Sequence, residues 1–282
     1  MPTLAFWNVN AKVSAETIAV LARERDVDII ILAENETDRF KIKEKLNEDT
    51  DRLYFTDPGE SERLTIFTRF QADRLCLVRD SSGVAIRHYR MPLGESFLVV
   101  AVHLASKLWA KTEDQIFVAA ELGQFIREAE ERVGHSRTII IGDLNTNPFE
   151  SGVVGAGWLH GVMDRRIASA GSRKVRGKDH MFFYNPMWSK FGDAGPAPPG
   201  TYFYRDGSDV SYFWNMFDQV LVRPALLNSL SNDSVSVVTK IGGAALLTEW
   251  GRPNAAVSDH LPIVCNLTEI QEKADVIEEL VG

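Results

Sequence analysis

Nine short apolar runs recur along the chain, and their number and spacing constrain the fold more than any other feature. They are "TLAFWNV", "VDIIILAE", "RLTIFTRF", "RLCLVRD", "SFLVVAVHL", "RTIIIGDL", "FDQVLVRP", "SVSVVTKI" and "LPIVCNL". Each has the length and the β-branched content of a strand. Helical patterns fall between some of them. "SAETIAVLARERD" offers Ser14 as an N-cap with Ile18, Leu21 and Ala22 on one face, and "TEDQIFVAAELGQFIREAEERV" predicts a long amphipathic helix from Thr112. Strands that arrive both singly between helices and in consecutive pairs do not fit a purely parallel doubly wound sheet. Two packed mixed sheets with helices outside fit better. A chain of 282 residues with 45% hydrophobic content can bury such a core. No linker or internal repeat divides it, so residues 1–267 are expected to form one domain and residues 268–282 a short acidic tail.

The formal net charge of -8 argues against a general nucleic-acid coat protein, but not against an enzyme that meets a phosphate locally through a metal. The two cysteines, Cys76 and Cys265, have neither zinc-site spacing nor the number needed for a disulfide framework. Core positions in a reducing compartment are expected for them. The N-terminal segment lacks a basic lead followed by a long apolar stretch, and no run reaches the length of a membrane span. A soluble cytoplasmic protein with no membrane partner is the expectation.

The apolar runs end in polar side chains. "TIIIGDLNTNPFE" passes from Ile139, Ile140 and Ile141 straight to Asp143, Asn145 and Asn147. Residues two apart on an extended chain share a side, so Asp143 and Asn145 would point together from the strand end. A carboxylate beside a carboxamide can hold a water and steady an oxyanion; the alternative is a strand running into an Asn-Pro turn. The same habit recurs at Asn8 and Asn10, at Glu34, at His103, and at Ser258, Asp259 and His260 before the last apolar run. Taken singly, Asn10 reads as a turn residue, Glu34 as a solvated acid and His103 as a core histidine. Taken together, the Glu, Asp and Asn oxygens suit Mg²⁺ or Mn²⁺, and the two separated histidines suit proton transfer and charge stabilisation better than zinc.

In the order "WNVN", "ILAENE", "VAVHL", "IIIGDLNTNP", "FDQVLV" and "SDHLPIV", these motifs resemble the endonuclease/exonuclease/phosphatase superfamily of metal-dependent phosphohydrolases. The resemblance covers almost the whole chain. It implies a DNase I-like α/β fold, a four-layer α-β-β-α sandwich of two packed mixed β-sheets flanked by helices. It also implies a divalent cofactor, Mg²⁺ or Mn²⁺, held by Glu34 with Asn8 and Asp259. Asp143 would position or deprotonate the attacking water, and Asn145 would contact the scissile phosphate. His260, oriented by Asp218, and His103 would stabilise charge on that phosphate or assist the leaving group. Two departures stand out. Asn10, a candidate substrate contact, occupies a place where many relatives carry Asp, and Phe217 precedes Asp218 where many carry a polar residue.

The leading expectation is a nuclease acting on DNA or RNA. The alternatives are a phosphatase or sphingomyelinase-like hydrolase of a small or lipid phosphate, and a binding protein that has lost catalysis. Residues 165–178, "RRIASAGSRKVRGK", hold six Arg or Lys and no acid, so Arg173 and Lys174 are candidate contacts to a polyanionic backbone; a solvated loop is the other reading. Twelve aromatic residues fall between Met181 and Phe217. They could stack unpaired bases at the cleft rim, with Trp188 the preferred contact, or they could be core, a reading that suits "GTYFY" best.

Overall fold

The computed structural model describes residues 2–91, 95–105, 112–193, 195, 197–205, 207 and 209–268. Two mixed sheets face one another. The first runs in the order Val235–Val237, Ile263–Asn266, Thr3–Asn8, Ile29–Ala33, Leu64–Thr68, Phe55–Thr56. The second runs in the order Leu75–Ser81, Val84–Tyr89, Phe97–His103, Thr138–Asp143, Asp218–Val222, Phe183–Tyr184, Gly161–Val162.

Alternation along the strands explains why both sheets are buried on both faces. Leu4, Phe6, Ile29 and Ile31 of one sheet meet Val99, Ala101, Ile139, Ile141 and Val220 of the other in a shared core. Their neighbours turn outward. Ala5, Trp7, Ile30 and Leu32 pack on Ile18, Leu21 and Ala22 of the Ala15–Glu24 helix. Leu98, Val100 and Ile140 pack on Leu122 and Ile126 of the Thr112–Val133 helix. With helices covering both outer faces, Ile139, Ile140 and Ile141 can follow one another without exposing any of the three. The architecture is therefore the four-layer α-β-β-α sandwich that the runs imply.

Register sets where the polar strand ends meet. Thr3–Asn8 runs parallel to Ile29–Ala33, with Asn8 opposite Ala33, so Glu34 follows directly beside Asn8. Phe97–His103 runs parallel to Thr138–Asp143 with His103 opposite Asp143, and Asp218–Val222 pairs antiparallel with Asp218 also opposite Asp143. Three chemically active side chains thus share one end of the second sheet.

Several elements differ from expectation. Val84–Tyr89 is a strand although Arg87 and His88 interrupt its apolar pattern; buried Arg87 is neutralised by Asp57 at 2.8 Å and Asp80 at 2.7 Å. "SVSVVTKI" divides between the Val235–Val237 strand and a hairpin that begins at Lys240–Ile241. The basic stretch is not a loop: it forms the Arg165–Ser169 helix, capped by Asp164, and a hairpin of Ser172–Val175 with Lys178–Met181 turned at Arg176 and Gly177, both at positive φ. Of the acidic tail, only Thr268 lies within the described residues. Among the described residues, no helix is long and apolar enough to cross a membrane.

Gly142, one residue before Asp143, has φ +150, and a Cβ there would sit 2.0 Å from the Val102 carbonyl oxygen of the neighbouring strand. Gly142→Ala is expected to destabilise the fold by more than the roughly 1–3 kcal/mol of backbone strain alone, because the clash falls on rigid sheet backbone. A melting temperature equal to the parent's would show that the strands yield at this point.

Candidate active site

The ends of the strands build the site, and hydrogen bonds fix its side chains. Asp143 is 1% exposed, and one of its carboxylate oxygens accepts the Asn145 backbone N–H at 2.8 Å. Asn145 turns into the left-handed region at φ +49, and its carboxamide donates to the Leu104 carbonyl at 2.9 Å. Asn147 is fully buried; it donates to Asn215 Oδ1 at 2.9 Å and accepts from the Met216 N–H at 2.9 Å. The "LNTN" turn therefore anchors the segment that leads into Asp218. The backbone N–H of Asp218 in turn bonds the Thr201 hydroxyl at 3.2 Å.

His260 lies across from Asp143. Its Nδ1 is 2.8 Å from Asp218 Oδ2, and its Nε2 is 3.9 Å from Asp143 Oδ2. Ser258 positions it by donating to the Asn8 carbonyl at 2.7 Å while accepting the His260 N–H at 3.1 Å. The Trp7 indole N–H donates to the His260 carbonyl at 3.0 Å. The bonds to Asn8 and from Trp7 tie the "SDH" turn to the end of the first sheet, and the His260 N–H to Ser258 bond closes the turn on itself.

The third group surrounds Glu34, which also sits in the left-handed region at φ +51. Its Oε1 lies 3.3 Å from His103 Nε2 and accepts from the Asn8 amide at 3.1 Å. The same Asn8 amide reaches Asp143 Oδ2 at 3.4 Å, so Asn8 bridges two acids through its nitrogen while its oxygen takes the Asn10 N–H at 3.1 Å. Asn10, at φ +46, donates to Asp259 Oδ1 at 2.7 Å. Non-glycine residues at positive φ cost energy and tend to gather where a site needs side chains aimed against backbone preference.

Electrostatics separate the acids into different roles. The hydrogen bond from His103 holds Glu34 low, burial opposes it, and the Asn8 bond helps, leaving a pKa of about 2. Burial pushes Asp143 up to about 6, the positive charge of His260 pulling it down and Asp218 pushing it further up. Burial disfavours the His260 imidazolium, but Asp218, Asp143 and Asp259 outweigh it and raise the pKa to about 10. At neutral pH the site therefore holds a permanent anion, a carboxylate near its protonation threshold and a cationic histidine.

Seven of the expected residues, Asn8, Glu34, His103, Asp143, Asn145, Asp259 and His260, line one cavity of about 470 Å³. Asp218 lies behind His260, and Asn10 lines an adjoining cavity that shares Glu34 and His103. Three expected contacts fall elsewhere. The ring of Trp188 packs against Phe149 at 6.3 Å, and Phe149 packs against Tyr212 at 5.3 Å, so Phe149 stands between Trp188 and the cavity wall. Arg173 and Lys174 belong to the basic hairpin that precedes Phe183–Tyr184, and Tyr184 pairs with Val222, at the far end of the strand that begins with Asp218. The basic hairpin is therefore at the opposite end of the sheet from the cavity, because its following strand runs toward the site. "GTYFY" also differs from expectation. Its two tyrosines are not core, since Tyr202 and Tyr204 line the cavity, the Tyr202 ring lying 4.6 Å from that of His260.

No family model and no curated protein matches the sequence. Solved structures do match its fold. Truncated Caenorhabditis elegans TDP2 superposes with a TM-score of 0.56 at 15% identity over 95% of this chain and 97% of that one. An endonuclease/exonuclease/phosphatase family protein from Leptotrichia buccalis gives 0.55 at 15% identity over 95% and 99%. A Neisseria 3′ phosphatase, NExo, bound to a product DNA hairpin gives 0.53 at 17% identity over 95% and 99%. The chain thus has the DNase I-like fold of the endonuclease/exonuclease/phosphatase structures across nearly its whole length.

Proposed function

We propose that the protein is a divalent-metal-dependent phosphodiester hydrolase acting on nucleic acid. The observation that carries this reading is the convergence, in one cavity, of a His260–Asp218 pair, a buried Asp143 near its protonation threshold and a permanently ionised Glu34. A phosphodiester resists hydrolysis because its anionic oxygens repel the nucleophile, so a catalyst must neutralise that charge and aim a water in line.

The chain divides these tasks. His260, cationic and held by Asp218, stabilises negative charge on the phosphate oxygens. Asp143 faces it and takes a proton from the attacking water. Asn145 and His103 donate to the phosphate or its leaving oxygen. The donor chemistry around Glu34 suits Mg²⁺ or Mn²⁺: Glu34 and Asp259 offer hard oxygens joined through Asn8 and Asn10, and these residues would hold the cation. When bound, the metal supplies positive charge to the phosphate. Ligand atoms of Asp143, Asp218 and His260 also lie within 4.8 Å of one another, but the Asp218–His260 hydrogen bond and the positive charge on the ring suit His260 to facing the phosphate rather than the trio to holding a second cation.

Solved relatives of the fold support a nucleic-acid substrate, among them Danio rerio TDP2 complexed with a single-strand DNA product, at a TM-score of 0.54 and 16% identity. A panel of single-stranded DNA, duplex DNA, RNA, sphingomyelin and phosphoinositides with Mg²⁺ or Mn²⁺ tests the reading. Chelator-sensitive cleavage of a nucleic acid is expected. Turnover of a lipid phosphate alone, or of none of the five, would contradict it.

Asp218→Asn probes the proton balance. Without that carboxylate, burial lowers the His260 pKa by about 1–3 units, so the alkaline limb of the pH–rate profile moves down and activity falls more at pH 9 than at pH 7. An unshifted alkaline limb would show that Asp218 does not set the charge of His260.

A further inference from the structure

A hairpin beside the catalytic histidine turns one face to solvent. Tyr202–Phe203 pairs with Trp214–Asn215, and the Tyr204 N–H bonds the Phe213 carbonyl at 2.8 Å, closing the loop between them. Alternation sends Phe203 to one side, beneath the Arg252 guanidinium at 4.4 Å, and Tyr202 and Tyr204 to the cavity side. Tyr212 and Phe213 join that wall.

Three features set this wall apart from ordinary packing. Tyr204, Tyr212 and Phe213 are 41%, 54% and 47% exposed, a cluster of large rings left in water. Phe213 has φ +59, a conformation that a bulky side chain rarely adopts, so the backbone is strained where the ring projects. Tyr204 also ends a series of nearly parallel rings: Tyr204 to Tyr202 is 6.3 Å with planes 11° apart, and Tyr202 to Phe217 is 5.4 Å with planes 22° apart, whereas Tyr212 packs edge-on against Phe149 and Phe213 lies 6.4 Å from Phe203. This ladder runs from Phe217 through Tyr202, whose ring also lies against that of His260, and stops at the exposed Tyr204.

We infer that the exposed Tyr204 ring, at the end of this ladder, is a stacking platform for an unpaired nucleobase next to the phosphate under attack, with Tyr212 and Phe213 in the same cavity wall, and so determines specificity. A planar ring continues the ladder by one step. An acyl chain would instead lie in a cavity that also holds the carboxylates of Glu34, Asp143 and Asp259. A base within a duplex already has stacking partners on both sides, so the platform selects single-stranded or unstacked nucleotides. The inference rests on the phosphodiesterase reading.

The test compares a thymidine trinucleotide with a trinucleotide carrying tetrahydrofuran in place of the bases flanking the scissile phosphate, both with Mg²⁺. The parent is expected to show a KM about tenfold lower for the base-bearing substrate. In Tyr204→Ala and in Phe213→Asn, whose new side chain suits the left-handed backbone, that preference collapses toward unity through KM rather than kcat. Equal KM values in the parent, or a preference that survives both substitutions, overturns the platform, as does hydrolysis of sphingomyelin vesicles in place of either oligonucleotide. Binding of 2-aminopurine nucleoside 5′-monophosphate, read by fluorescence quenching, separates the two claims. Quenching in the parent that is lost in Tyr204→Ala supports the platform even if no substrate is turned over, a result that would sink the catalytic reading alone. Absence of quenching in the parent overturns the platform.

Discussion

His260→Ala is expected to lower kcat by about 10²–10⁴-fold, the range by which a positioned proton-bearing group contributes to a reaction. The imidazole is 2.8 Å from Asp218 on one side and faces Asp143 on the other, so its loss removes the cation that balances both. The substitution also leaves Asp218 fully buried without its partner, which costs about 3–5 kcal/mol of stability. His260→Ala/Asp218→Ala removes that orphaned charge. Recovery of the melting temperature without recovery of the rate separates the chemical role from the structural one. A double variant that regains both would show that His260 acts only by holding the fold.

Glu34→Gln is expected to reduce turnover by about three orders of magnitude, since a metal contributes several kcal/mol of charge stabilisation and each 1.36 kcal/mol is tenfold in rate. The exchange keeps the shape and removes the charge. At a pKa of about 2, that charge is present throughout the working range, so no change of pH can restore the variant. Mn²⁺ titration should show weakened binding with the fold intact. The Glu34 side chain is 45% exposed, and glutamine keeps a carbonyl oxygen that can accept from the buried Asn8 amide, so the fold should stand. Parent-like turnover and Mn²⁺ affinity would remove Glu34 from the metal site.

How much of this was legible in the sequence depends on what made each feature. The strands were readable because covering both faces of a strand demands consecutive apolar residues, as in Ile139–Ile141. Val84–Tyr89 was not, because Arg87 enters the core only by pairing with two acids on other segments, Asp57, 30 residues away, and Asp80 on the neighbouring strand. The candidate catalytic residues were readable because they cluster at one end or the other of an apolar run, and register brings such ends together, as with His103 and Asp143. The groups that hold them were harder to see. Ser258, Trp7 and Thr201 act through single hydrogen bonds that no local pattern announces.

The candidate substrate contacts were the least legible part. Arg173 and Lys174 follow the Thr138–Asp143 strand in sequence, but the chain crosses to the opposite end of the sheet before they occur. Trp188 belongs to the aromatic segment, yet it supports the cavity wall from behind through Phe149. The exposed rings are those of the Tyr202–Phe203 and Trp214–Asn215 hairpin, where strand alternation decides which side each faces. The left-handed turn at Phe213 has no sequence signature.

The most direct test of the central claim is the initial rate of bis(p-nitrophenyl) phosphate hydrolysis as Mg²⁺ is removed and restored. The account predicts a rate that falls to background in excess EDTA, returns in full when Mg²⁺ is added back, and fails to return in Glu34→Gln. Hydrolysis that continues undiminished in EDTA, or that Mg²⁺ restores equally in Glu34→Gln and the parent, would contradict it.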